Sequence, residues 1–407
     1  MARENAKEQG MAWTGLRRRP LAARIMLELA GRAPCGGLRI DLPDGSVEHV
    51  EGRRAGPRAH IRVHDYRVVR RLLTGGDTAF LEAYMDGDWD SPDLATLLEW
   101  GAVNEAYFSN LTVGRWRVRL MHRLMHLLRG NSRAGSRRNI ARHYDLGNDF
   151  YRLWLDPSMT YSSGVYEAAG DDLEQAQQNK YRRLLELLRL DAGDHLLEIG
   201  SGWGGFALYA ARHAGCRVTS ITVSAEQLRV ARERAVEAGL DDRVEFRFQD
   251  YRDVTGRFDR IVSIEMFEAV GERYWPRFFD VLHQRLVPGG RAVLQVITID
   301  ERAFDNYRSK ADFIQRYIFP GGMLPSPRAF YDHARAAGLT AQPGRFFGQH
   351  YARTLADWET RFAAAEDAVK GMGFPDQFVR MWRAYLAYCQ AGFRSGRIDL
   401  LQAVLTR

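Results

Sequence analysis

Asp194–Gly205 reads DHLLEIGSGWGG, and its reading decides the fold. Leu196, Leu197 and Ile199 form a short apolar run with one acid, Glu198, inside it. A run of that length bounded by glycines predicts a buried strand. Gly200, Gly202 and Gly204 then follow at alternate positions. Glycine lets the backbone turn tightly and lets a ligand approach it closely. The next segment, GFALYAARHAG, predicts a helix stopped at Gly215. Strand, glycine turn and helix together open a parallel α/β sheet, whose ligands sit at the carboxyl ends of the strands.

Downstream the same alternation continues. RVTSIT, VEFRFQD, FDRIVSIE and RAVLQVITI predict strands. SAEQLRVARERAVEAG predicts a helix capped by Ser224, with Glu226 and Gln227 just inside it. YWPRFFDVLHQRLVPGG predicts a helix stopped by Pro-Gly-Gly. The expected fold class is therefore α/β, a Rossmann-like doubly wound sheet spanning 139–407. Upstream, LRIDLPDGSVEHVEG predicts a hairpin turning at Pro-Asp-Gly. A strand and helices follow it, with Gly-Gly and Asp-Ser-Pro as stops, so 1–112 reads as a smaller α+β domain. Between the two, 113–138 carries eight arginines and no acid, with Leu120, Leu124, Leu127 and Leu128 at helical spacing. It reads as a basic amphipathic linker, either packed by its leucines or lying on an anionic membrane surface.

The chain has 407 residues, 45% hydrophobic, and a formal net charge of +7. That length suits two domains, and the charge suits an anionic partner, nucleic acid or membrane. Cys35, Cys216 and Cys389 are few and dispersed, which gives neither a disulfide framework nor a metal knuckle. LAARIMLELA near the N-terminus is interrupted by Arg24 and Glu28, and no run approaches the roughly 18 apolar residues of a spanning helix. The expectation is a cytoplasmic protein, peripheral at the inner face of the cell membrane, with no metal.

The glycine spacing is GxGxG with an acid two residues upstream, rather than the GxGxxG of dinucleotide sites. It resembles motif I of class I S-adenosylmethionine (SAM) methyltransferases, which implies SAM packed on Glu198, Gly200, Gly202 and Gly204. Where that resemblance expects contacts to the ribose, ITVSAEQ offers Thr222, Ser224 and Gln227. Where it expects contacts to adenine, FQDYRD offers Gln249, Asp250 and Tyr251.

Further stretches, in one order, are RHYDLGNDFYRLWLDPSMTYSSGVY, MFEAVG, YIFPGGMLPS, FGQHYARTL and YCQAGFRSGRIDLLQ. With the glycine loop they resemble the cyclopropane-fatty-acyl-phospholipid synthase family from about Arg142 to the C-terminus. The resemblance implies transfer of a methyl carbon from SAM to the cis double bond of an acyl chain in a membrane phospholipid. It also implies Tyr161 and Ser162 at the cofactor, a helical lid after VLQVITI, and compatibility with a homodimer. The carbocation so formed needs a dry cavity with aromatic faces. Tyr161, Tyr166, Trp203, Phe267, Tyr317, Phe319, Phe347 and Tyr351 are the ring candidates, most of them expected to be core.

In the resembled synthases a bicarbonate ion is thought to take the last proton. Its implied holders here are Glu268, Tyr351, the backbone at Ile297, and Ser163 and Gln295 where the family has Cys and His. Glu265 stands where many synthases have glycine. The expectation is that Glu265 acts as an internal base, in place of bicarbonate or beside it, while Glu268 orients the site. Loss of a proton from the new methyl closes a cyclopropane, and loss from a neighbouring chain carbon leaves a methyl-branched alkene. Cys389 matches a family cysteine once regarded as catalytic, but no activating neighbour stands beside it, and a structural role is expected. Two other classes stay open at this stage: a methyltransferase acting on RNA or a small molecule, and a non-catalytic lipid-binding protein. No RNA-binding module is recognisable, and the glycine loop has little use in the latter.

Overall fold

The computed structural model describes residues 19–111 and 146–407, so the basic linker at 113–138 lies outside the described residues. The described chain falls into two compact units, 19–111 with 374–391, and 146–373 with 392–407.

In the first unit, β1 (Cys35–Asp41), β2 (Val47–Glu51), β3 (Arg54–Val63) and β4 (Trp89–Asp90) form a sheet in the order β2-β1-β3-β4. The expected hairpin is present. Leu42 N donates to Ser46 O at 2.9 Å, and Gly45 supplies the positive φ, 81°, that the turn requires. The Gly-Gly pair does not end its helix. Arg67–Met85 runs through it with a kink at Gly76, because one glycine out of helical dihedrals interrupts the bond ladder without ending the apolar face. Asp93 caps the helix Leu94–Val103 by accepting from Thr96 N at 2.9 Å. Residues 374–391 belong to this unit, although the sequence placed them with the later domain. Their tie is Arg380, whose guanidinium donates to Tyr84 O at 2.6 Å and Trp89 O at 2.9 Å.

The second unit holds β5 (His195–Ile199), β6 (Arg217–Thr222), β7 (Val244–Phe248), β8 (Phe258–Ile264), β9 (Leu286–Ile299), β10 (Thr340–Ala341), β11 (Arg345–Phe346) and β12 (Ile398–Thr406). They form one eight-stranded sheet in the order β10-β12-β9-β8-β5-β6-β7, with β11 beside β12. Strands β5 to β9 are parallel, and β12 runs antiparallel to β9. The order reverses at β5, where β6 lies to one side and β8 to the other. That is the switch point at which such sheets bind ligands. Both faces are covered. One carries Phe267, Trp275, Phe278, Phe279 and Phe330, the other Leu184, Phe206, Ala231 and Phe246, which is why the strands read as apolar runs rather than alternating ones.

One helix stop was misplaced. The helix Trp275–Arg285 ends before Pro288-Gly289-Gly290, which instead lies within β9. Gly289 has φ 76°, and the β8–β9 register shifts between Phe258 and Arg260. The glycines therefore build a bulge that admits β9 to the sheet. After β9 the chain forms a helix, Glu301–Arg308, and a π-helical turn, Ile314–Ile318, before the helix Pro327–Ala336. The helix Gly348–Ala364 then carries Tyr351.

Candidate active site

The glycine loop leaves β5 with positive φ at Gly200, Gly202 and Gly204. A Cβ at Gly200 would meet Met266 at 3.1 Å, and one at Gly204 would meet Phe246 at 2.9 Å. At Gly202 nothing lies within 4 Å. Two glycines thus let the loop fold against the protein, and the third faces open space at the switch point. A cradle bare of side chains suits the amino-acid end and ribose of SAM.

The other expected cofactor residues surround this cradle with their polar groups largely spoken for. Glu198 is buried and accepts from Ser220 Oγ at 2.5 Å; burial pushes its carboxyl up to about 8. Thr222 donates to Gln227 Oε1 at 3.0 Å and accepts from Ser224 N, while Ser224 Oγ caps Gln227 N. Asp250 is paired bidentately with Arg252, at 2.8 and 2.6 Å. Gln249 Nε2 donates to Asp253 O at 2.8 Å. The Tyr251 ring packs edge-on against Phe278 in the core, 5.4 Å between centroids.

Tyr161 meets Tyr151, Trp154 and Trp358 at ring distances of 5.4 to 5.6 Å, and Phe319 at 6.5 Å. Tyr351 reaches Trp358 edge-on at 6.1 Å and stacks on Phe393 at 4.5 Å. Of the ring candidates, Phe267 instead lies in the core cluster against Trp275 and Phe279, and Tyr166 is tied to Asp357. Sequence reading missed Trp358 and Trp154, because tryptophans at helical spacing look like ordinary core.

The two carboxylates at the end of β8 are placed differently. Glu265 has φ 50°, one of few non-glycine residues in the left-handed region, at a cost of about 1–2 kcal/mol. Its backbone N donates to Gln295 O at 2.8 Å. Its Oε1 accepts from Ser163 N at 2.9 Å and from Gln295 Nε2 at 2.8 Å, and its Oε2 accepts from Tyr351 OH at 2.5 Å. Burial raises its pKa above the usual carboxylate range. The Tyr351 and Gln295 bonds and the Lys180 charge pull it back. Glu268 Oε1 accepts from Ile297 N at 2.5 Å, while its Oε2 is buried with no partner among the described residues. Burial, then the neighbouring Glu265 charge, pushes Glu268 up to about 8. At neutral pH Glu268 is therefore largely protonated, and Glu265 is the one that three donors converge on.

Ser163, Gln295 and Tyr351 thus converge on one carboxylate, while Ile297 goes to the other. The Ser163 hydroxyl turns away and donates to Gly164 O at 2.9 Å. Ser162 is held from behind. Lys180 Nζ donates to its Oγ at 2.7 Å, and Gln177 Nε2 donates to its carbonyl at 2.8 Å. Lys180 is fully buried, and that burial lowers its pKa to about 7. No local pattern marks this lysine, since QNKYRR reads as a polar helix face. Cys389 is partly buried on the helix Asp376–Arg394, in the part belonging to the first unit. Among the described residues no cluster could hold a metal.

The mycolic acid cyclopropane synthetase family matches residues 131–403. A tuberculostearic acid methyltransferase, UfaA1, of Mycobacterium tuberculosis is 39% identical over 95% of this chain and 91% of its own length. The cyclopropane-fatty-acyl-phospholipid synthase of Escherichia coli K12 is 36% identical over 86% of this chain and 88% of its own. Among solved structures, mycolic acid cyclopropane synthase CmaA1 complexed with SAH and CTAB has a TM-score of 0.63 at 30% identity. It covers 67% of this chain and 98% of its own.

Proposed function

The chain belongs to the mycolic acid cyclopropane synthetase family, and from that premise we propose that it methylates the cis double bond of unsaturated acyl chains in membrane phospholipids, with Glu265 as the base. It is a SAM-dependent C-methyltransferase of the class I fold that modifies lipid. Bound SAM supplies an electrophilic methyl carbon. The alkene of the acyl chain attacks that carbon and is left as a cation, and a proton must then leave. The rings of Tyr161, Trp358 and Tyr351 offer π faces to that cation and keep water from it. The proton passes to the Glu265 carboxylate, which Ser163 N, Gln295 and Tyr351 hold in place.

One observation carries the reading: the Gln295 and Tyr351 side chains expected to hold bicarbonate donate to the Glu265 carboxylate instead, joined by the backbone N of Ser163. An internal base fixed to the end of β8 leaves less freedom over which proton it can reach. We read the product as a methyl-branched, still unsaturated chain. The relative named for tuberculostearic acid supports a non-cyclopropane outcome, and the E. coli relative supports the phospholipid substrate. The basic segment at 113–138 supports action at an anionic membrane surface, at the cytoplasmic face.

The test is product identity. Purified protein is incubated with SAM and vesicles of cis-monounsaturated phospholipid, and released acyl chains are analysed by gas chromatography–mass spectrometry before and after mild hydrogenation. Both candidates gain one CH2, so hydrogen uptake decides. Uptake identifies the branched alkene, and resistance identifies a ring and returns the site to bicarbonate.

A further inference from the structure

The Gln295 side chain is itself held from behind. β12 lies antiparallel to β9 with Gln402 directly opposite Gln295. Both are buried, at 2% and 0% exposure. Gln402 Nε2 donates to Gln295 Oε1 at 2.7 Å, and Gln402 Oε1 accepts from Arg183 Nε at 2.8 Å. Gln295 Nε2 then donates to Glu265 Oε1 at 2.8 Å. The direction of this chain is forced at both ends. A guanidinium can only donate and a carboxylate can only accept, so each amide between them has one permitted orientation. A flip of either amide would set donor against donor or acceptor against acceptor in a buried site.

We propose that Gln402 and Arg183 are positioning residues of the reaction: through Gln295 they hold the Glu265 carboxylate in its proton-accepting orientation. This rests on the reading of Glu265 as the base. Arg183 is suited to an outer anchor. It lies on the helix Leu173–Leu188, partly buried, with its guanidinium 4.8 Å from the Phe347 ring centroid. Arg345, Glu186 and Glu167 are the charges that face it. Glu265 faces the charges of Lys180 and Glu268 and the hydroxyl of Tyr351. All are unchanged in variants at 183 and 402, so a difference from the parent protein reports the relay. Losing the Gln295 donor leaves the ionised Glu265 less supported, so its protonation persists to higher pH and the acidic limb of the kcat–pH profile moves up.

The experiment compares R183M, R183K, Q402L, Q402E and E265Q in the full chain with SAM and monounsaturated phospholipid vesicles. It reads kcat, KM for SAM, the kcat–pH profile and the ratio of branched to ring product. Q402L and R183M are expected to lower kcat about tenfold to a hundredfold, as misplacement of a reacting group does. KM for SAM stays unchanged, and the acidic limb moves to higher pH. R183K, which keeps a cationic donor, restores most of the loss. Q402E still accepts from Arg183 but, ionised, has no proton for Gln295, so it follows Q402L. It also carries the test should Q402L fail to bind SAM. If E265Q is inactive while Q402L, Q402E and R183M keep the parent kcat and profile, the relay is wrong and the base reading stands. If E265Q keeps full activity and product, the base reading falls and the relay falls with it.

Discussion

A glutamate at φ 50° with its carboxylate bonded to Ser163 N, Gln295 and Tyr351 is an expensive way to fill a turn. Non-glycine residues kept in that region mark places where the surroundings over-determine the conformation, often at functional sites. Two substitutions separate the strain from the chemistry. Glu265→Gln keeps the shape and removes the base, so kcat should fall by about 10²- to 10⁴-fold, the usual contribution of a positioned base, while SAM binding persists. Glu265→Gly relieves the dihedral and removes a buried carboxylate, so the melting temperature should stay level or rise. It also leaves Ser163 N, the Gln295 amide and the Tyr351 hydroxyl pointing into a vacated space. Added bicarbonate should then restore turnover, with a cyclopropane as product. Branched product from either variant at the parent rate would place the base elsewhere. Glu268 has a different signature. Its carboxyl titrates near 8 in the folded chain and, as an ordinary glutamate, near 4.5 when unfolded. The folded state therefore holds the extra proton between those values, and the stability Glu268 lends is lost as pH rises through about 8. Glu268→Gln does not titrate, so its melting temperature relative to the parent should climb from pH 5 to pH 8. A constant difference across that range would mean the shift is absent.

At the scale of elements, the strands were legible because both sheet faces are covered, which turns each strand into an apolar run. The cap at Ser224 was legible because a side-chain oxygen three residues before a free N–H has few other uses. Glycine was the unreliable signal. Gly76 kinks a helix and Gly289 bulges a strand, where each looked like a stop, since the same positive φ serves all of these purposes. Of the residues grouped from the sequence, Ser163, Gln295 and Tyr351 meet at Glu265, while Ile297 meets Glu268. Missing were the cross-strand partner Gln402 and the buried Lys180, because their roles depend on register and helix rotation that no local pattern encodes. The segment after β9 was expected as a lid, and its anchor is Gln315. Its Nε2 donates to Gly322 O at 2.8 Å, and the next residue, Met323, donates its backbone N to Glu268 O at 2.8 Å. The segment's backbone is thus pinned to the loop that bears both carboxylates. Gln315→Leu leaves the partly buried Gly322 carbonyl without that bond, worth about 1 kcal/mol locally. The expected result is faster proteolytic cleavage within 309–325 and a lower kcat, with SAM affinity unchanged. Unaltered cleavage would show that the segment is held by other contacts.

For the molecule as a whole, the charge is not spread. Residues 113–138 contribute eight arginines and no acid, against a net +7 for the entire chain, so everything else is close to neutral. A diffuse basic surface would have suited a polyanion wrapped over the protein. A single basic, leucine-bearing stretch next to a lipid-modifying domain suits the headgroup layer of an anionic bilayer. Among the described residues no helix is long and apolar enough to cross a membrane. On the proposed reading the double bond lies in the hydrocarbon interior, so an acyl chain must be drawn out of the bilayer to reach the site at Glu265. Holding the enzyme at the surface raises the rate of that capture without touching the chemistry, and each basic residue near an anionic surface is worth about 1 kcal/mol. Replacing Arg115, Arg117, Arg119 and Arg123 by Gln should therefore weaken binding to vesicles containing anionic phospholipid by several orders of magnitude, and reduce turnover on them. Turnover on the same lipid dispersed in neutral detergent micelles should be unchanged. Raising salt so that the screening length drops from about 10 Å to about 3 Å should mimic the substitution on vesicles and have little effect on micelles. Equal loss on micelles would mean that the arginines serve the active site or the fold, and that the membrane is reached by some other surface.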